Sequence, residues 1–188
     1  MRKNEIKREQ SINALVDTAL KLFSQNGYEA TSIRMIAKEA EVSLGLMYNY
    51  FKSKEELLLE IFRRGSEDIH MSFEEGLANS EANVSEVAQH INQTVRLLKE
   101  KKLFWKLLHG IRMQTTVVHA LKTQIEEQAK LIETKIKQNL STAGFPHPEL
   151  EAKLLFASID GMASHYLLLD NYPIDDVASL LIRKYDKQ

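Results

Sequence analysis

The residues of this chain best suited to chemistry are the run Ser43-Leu44-Gly45-Leu46-Met47-Tyr48-Asn49-Tyr50 and the Lys54 that follows it. Two phenols, an amide, a hydroxyl and an ammonium offer hydrogen bonds and charge rather than a catalytic nucleophile. Phenol and amide groups reach phosphates or base edges, and an ammonium suits a phosphate. Gly45 costs about 1 kcal/mol relative to Ala inside a helix. That cost makes sense where backbone must approach a sugar-phosphate chain or a base edge. Ser43, as an N-cap, leaves the first N–H groups and the positive dipole end of its helix near an anion. Thr31, Ser32 and Arg34, at the start of the preceding helix, join Ser43, Leu44, Gly45, Leu46, Tyr48, Asn49, Tyr50 and Lys54 as candidate DNA contacts. Arg2, Lys3, Lys7 and Arg8 could add backbone or minor-groove contacts.

These groups need a scaffold that projects them. A reading helix must protrude into a major groove about 12 Å wide while the helix before it braces it. Ile33, Ile36, Val42 and Met47 are placed to fill the seam between two such helices, and the small Ala37 lets them approach. The second of these helices runs from Leu44 to about Tyr50. The first starts after Thr31 or Ser32, either of which can cap it, and ends at the tight Glu41-Val42-Ser43 connection. Before them, Ile12, Leu15, Val16, Ala19, Leu20 and Phe23 form one stripe on a helix from about Ile6 to Gln25, stopped by Asn26-Gly27. After them, Ser53-Lys54-Glu55-Glu56 is a capping box that opens a long fourth helix. Residues 76–85 read as a loop. Helices are then expected at about 84–101, 103–112, 115–141, 148–169 and 173–186, with breaks at Gly144–Pro148 and Asn171–Pro173. The fold class is all-α, with about nine helices. The expected division is residues 1–54 as a helix-turn-helix head and 55–188 as a helical body.

Composition agrees. Hydrophobic residues make up 44% of the 188 and charged residues 27%, the balance of a soluble globular protein. Without cysteine there are no disulfides, thiolate metal sites or thiol nucleophiles. No apolar run approaches the length of a membrane span, and no signal-peptide pattern follows Met1, so a cytoplasmic location is expected. The net charge of −1 hides an asymmetry: residues 1–54 hold nine Lys/Arg against six Asp/Glu, the remainder sixteen against twenty. A basic head on an acidic body suits DNA binding through one end. The six histidines lack metal-ligand spacing, and neither a His-Glu-x-x-His pair nor a glycine-rich phosphate loop is present. No enzyme activity, cofactor or metal is expected.

The register of Ser32, Ile36, Ala37, Ala40, Val42, Ser43, Gly45, Tyr48, Tyr50, Phe51, Lys54 and Leu57 resembles the DNA-binding head of TetR/AcrR-type regulators, and Gly27-Tyr28 fits as well. Glu41 departs from the pattern, which has Gly there, so Glu41 either adopts a left-handed conformation or shifts the turn. The specific match covers residues 9–58; the body agrees in length and helix count, with a weaker echo at Asp160-Gly161.

The resemblance implies a transcription regulator, most often a repressor, that binds a palindromic operator as a homodimer and is released by a small molecule. It also implies a four-helix dimer interface from the last two helices. Here the candidates are Leu154, Leu155, Ala157, Ser158, Gly161, Met162, His165, Ala178, Leu181 and Ile182. Candidate pocket liners are Phe62, Met71, Phe73, Phe104, Trp105, Leu108, His109, Met113, Ile125, Met162, His165 and Tyr166. Their Met and aromatic content suits a hydrophobic or aromatic ligand, although residues of this kind also build ordinary cores. The alternative is a TetR-like helical scaffold that binds a ligand or partner without regulating DNA.

Overall fold

A computed structural model describes residues 3–78, 85–112 and 115–185, without the side chains of residues 3, 72–78 and 115–120. Nine helices and no strand are found among the described residues: α1 (Lys3–Asn26), α2 (Ile33–Glu39), α3 (Leu44–Tyr50), α4 (Lys54–Ala78), α5 (Glu86–Glu100), α6 (Lys102–Arg112), α7 (Thr115–Thr142), α8 (Pro148–Leu168) and α9 (Ile174–Tyr185). The expected elements are all present, with one difference. α4 continues through Gly76 to Ala78, where a loop was expected. A single glycine weakens a helix by only about 1 kcal/mol, too little to stop one of this length. The rest of the expected loop, residues 79–84, lies outside the described residues, as do Met113 and the side chain of Phe73.

The chain divides into two compact units. The first comprises Met1–Asp68 with Leu103–Leu121, and the second Ile69–Lys102 with Lys122–Gln188. In the first, Leu15, Val16, Ala19 and Phe23 of α1 are buried with Ile36, Ala37, Met47, Leu57, Leu58 and Ile61. Arg64 of α4 donates to the Asn13 side chain of α1 at 2.7 Å while its Nε holds Glu60, so α4 is tied to α1 by a polar bridge. Hydrogen bonds from Arg63 and Arg64 bring the Glu60 carboxyl down to a pKa of about 2.

In the second unit α5, α8 and α9 pack together. Ala152, Leu155, Ile159, Met162, Ala163 and Leu167 of α8 are buried. The opposite face of the same helix is also apolar: Leu150, Leu154 and Leu168 are 67%, 60% and 75% exposed. Ion pairs join α8 to α7 (Lys137–Glu149 at 3.2 Å, Lys153–Glu133 at 2.5 Å), and Lys99 of α5 meets Asp175 of α9 at 2.6 Å.

Candidate nucleic-acid interface

α2 and α3 are fixed by their ends. Ser32 caps α2 by accepting the Met35 N–H at 3.2 Å, and Ser43 caps α3 by accepting that of Leu46 at 3.2 Å. α2 stops in a left-handed turn: the Val42 N–H donates to the Ala37 carbonyl at 2.9 Å and that of Glu41 to Lys38 at 3.2 Å. Glu41 itself sits at φ +56°. Of the two conformations open to it, Glu41 takes the left-handed one, at a cost of about 1–2 kcal/mol. Ile36 and Met47 are 0% exposed and Ala37 3%, so they form the seam between the two helices; Ile33 and Val42 are half-buried at its margin.

With that seam buried, α3 turns a polar face outward. Tyr48 is 49% exposed, Asn49, Gly45 and Arg34 are exposed, and Leu44, Leu46 and Tyr50 are half-buried. A Cβ added at Gly45 would meet nothing within 4 Å, so packing within the chain does not require glycine there. The guanidinium of Arg8 lies over the Tyr50 ring, 5.9 Å from its centroid.

Two candidates prove to serve the scaffold. Thr31 is 1% exposed, and its hydroxyl donates to the Gly27 carbonyl at 2.8 Å, with the Leu22 carbonyl at 3.3 Å. Its one proton is spent inside the chain, so Thr31 pins the corner after α1 and is not an available DNA contact. Lys54 donates to the Tyr28 carbonyl at 2.8 Å, lies 4.1 Å from the centroid of the Tyr28 ring and stands 3.9 Å from Glu29. That geometry braces α4 against the same corner and leaves a phosphate only the ammonium's remaining donors. Tyr28 packs against Phe23 with ring centroids 5.0 Å apart. Burial, helped by the charges of Glu55 and Glu29, pushes its phenol up to about 12, so it stays protonated.

The geometry is that of a helix-turn-helix, and the comparisons agree. The family of bacterial regulatory proteins described as the tetR family matches residues 15–61. Residues 15–61 therefore carry a TetR-type DNA-binding head. It is 27% identical to the HTH-type transcriptional regulator YhgD of Bacillus subtilis (strain 168) over 178 residues, which is 90% of this chain and 93% of that protein. Over 47 residues it is 55% identical to the HTH-type transcriptional regulator YuxN of the same organism, a match spanning 25% of this chain and 16% of YuxN. The fold is shared with the solved structure of the transcriptional regulator FadR from Bacillus subtilis in complex with stearoyl-CoA, at a TM-score of 0.73 and 19% identity over 92% of this chain and 96% of that one. With this head and these relatives, the chain is a DNA-binding transcriptional regulator.

The body residues sort differently from expectation. Phe62, Phe104 and Leu108 do line one cavity, together with Leu58, Ile61, Leu107, Ile111 and Leu121. Its volume is about 10 Å³, room for about one water. Phe104 makes an edge contact with Trp105 at 5.9 Å and lies 6.4 Å from Phe62. Gly65, which the sequence did not single out, admits the Phe104 ring: a Cβ there would come within 2.1 Å of it. Its only signal was a glycine inside an otherwise helical pattern.

Met71, at 61% exposure, faces solvent instead of lining a pocket. Ile125 and His109 are half-buried and Met162 is 3% exposed. His165 is exposed and stacks on Tyr172 at 5.7 Å, while Tyr166 lies under the Lys102 ammonium at 4.7 Å.

Of the interface candidates, Leu154, Ala157 and His165 are exposed, and Ser158 and Gly161 half-buried, on the outer side of α8. Leu181 and Ile182 are half-buried on α9. Leu155, Met162 and Ala178, at 1%, 3% and 3% exposure, are instead core residues of their own unit. In a helix with apolar residues on both its inner and its outer face, spacing alone could not tell one from the other.

Proposed function

We propose that this chain is a TetR-family repressor that binds a palindromic operator as a homodimer, with residues 1–54 as the reading head and residues 55–188 as the ligand-binding and dimerisation body. The observation that carries the reading is the capped, braced α3, which presents Tyr48, Asn49 and the open Gly45 to solvent. Ser32, Arg34, Ser43, Leu44, Leu46 and Tyr50 surround that face. Dimerisation is supported by the outer leucines of α8, because large apolar side chains left in water favour association. Two heads on half-sites about 34–36 Å apart would add their phosphate contacts.

The effector is a small hydrophobic or aromatic molecule. Support comes from the wholly apolar lining of the α4–α6 cavity and from the stearoyl-CoA held by FadR of Bacillus subtilis. At about 10 Å³ the cavity is too small for such a molecule, since ligand sites run to about 300–1,000 Å³. Binding therefore requires side chains such as Phe104 to move, and that coupling is how an effector would favour the DNA-free form. The protein acts without catalysis or cofactor and works where the chromosome is, in the cytoplasm. No helix among the described residues is long and apolar enough to cross a membrane.

Genome-wide mapping of bound DNA tests the reading: enriched palindromic sites are expected, and their neighbouring genes would name candidate effectors for release assays. A map without enrichment would favour the ligand-binding scaffold instead.

A further inference from the structure

The positive charge of the head lies in two places. Residues 1–10 hold four Lys/Arg against two Asp/Glu, residues 43–54 hold two against none, and residues 11–42 hold three against four. Within the head, Lys21 is paired with Glu39 at 3.1 Å and Lys54 is engaged with Tyr28 and Glu29. The cations best placed to meet an outside anion therefore include Lys7 and Arg8.

α1 starts at Lys3, yet residues 4–10 are all exposed, and its burial begins only at Ser11 and Ile12. About two turns of helix, roughly 12 Å at 1.5 Å per residue, thus project past the packed part of the head. Helices of this size are stabilised mainly by packing, so an unpacked extension needs another reason to persist. The extension is not independent of α3, because the Arg8 guanidinium lies over the Tyr50 ring at 5.9 Å. Tyr50 is the last residue of the reading helix. This cation–π contact keeps a guanidinium beside that helix, with N–H donors able to grip a phosphate.

We propose that the projecting end of α1 is a second DNA-binding element, in which Arg8, positioned by Tyr50, contacts a phosphate of the duplex backbone flanking the groove that α3 enters. Lys7 adds charge to the same projection. The inference rests on the DNA-binding reading above and extends its footprint. Arg8 is a phosphate ligand and Tyr50 its positioning residue; the contact carries no base information.

The test is a salt titration of the full chain on a random-sequence 30-base-pair duplex, followed by fluorescence anisotropy. Wild-type protein should bind with a log–log slope that Arg8→Ala lowers by about one unit, weakening affinity several-fold at 100 mM KCl. Arg8→Lys should restore most of the slope, and Lys21→Ala, a cation of the same head already paired with Glu39, should leave it unchanged. In a Tyr50→Leu background, Arg8→Ala should lose less than half as much on a logarithmic scale. Circular dichroism reports whether each variant keeps its fold.

An unchanged slope in Arg8→Ala overturns the proposal, and strictly additive losses overturn the positioning role of Tyr50. Failure of wild-type protein to bind any duplex would instead overturn the regulator reading itself.

Discussion

α3 and the outer face of α8 both turn large side chains and a glycine to solvent, and they do so with opposite chemistry. At Gly45 and at Gly161 an added Cβ would meet nothing. Around Gly45 stand Tyr48, Asn49 and the cap Ser43; around Gly161 stand Leu154, Ala157 and His165. The first surface keeps its polar groups unburied at no cost and suits a polar, charged partner. The second leaves leucines in water, which is unfavourable by about 25 cal/mol per Å² of apolar area, and that cost is relieved when another apolar face covers it. Gly65 is the opposite case, since its missing side chain is filled by the Phe104 ring. At Gly65 the missing side chain is required by packing within the chain, and at Gly45 and Gly161 it is not.

The strongest way to break the contrast is Leu154→Glu. If the outer face of α8 is a twofold interface, it places two carboxylates together and should raise the dimer dissociation constant by about a hundredfold or more. Sedimentation velocity reads this directly, and an unchanged assembly state would sink the interface. Next comes Gly65→Ala, which should destabilise by about 1–3 kcal/mol in urea melts because the Phe104 ring must leave its seat. Stability equal to wild type would show that the ring moves freely. Gly45→Ala and Gly161→Ala sharpen the comparison. Each should stabilise its own helix by up to about 1 kcal/mol, yet Gly45→Ala should weaken duplex binding and Gly161→Ala the dimer. A variant that loses both functions, or neither, would show that the two surfaces are not distinct. The smallest effect is expected for Glu41→Gly, which relieves the left-handed turn and should gain about 0.5–1 kcal/mol, net of the entropy glycine loses on folding. A melt below wild type would mean that the turn depends on the Glu41 side chain.

Much of the head could be read in advance, because its determinants are local. A serine followed by helical apolar spacing caps and orients a helix whatever surrounds it, and Ser32, Ser43, Ile36, Ala37 and Met47 behave as the pattern required. Legibility ended where a residue has two good uses. A hydroxyl or an ammonium beside a helix start serves a phosphate or a backbone carbonyl equally well, and only the folded corner decides; Thr31 and Lys54 chose carbonyls. α8 is ambiguous for a related reason, since leucines lie on both its inner and its outer face and periodicity does not rank them. The role of Gly65 depends on α6 meeting α4 some forty residues later in the chain, a long-range contact that no local pattern contains.

The turn at Glu41 also bears on how this sequence can change over generations. Glutamate and glycine codons differ at a single base, so the residue that left-handed backbone prefers is one point mutation away. Native folds sit only modestly above the stability they need, and improvements of this size are easy to reach. A population screened for growth at elevated temperature should therefore meet this substitution early.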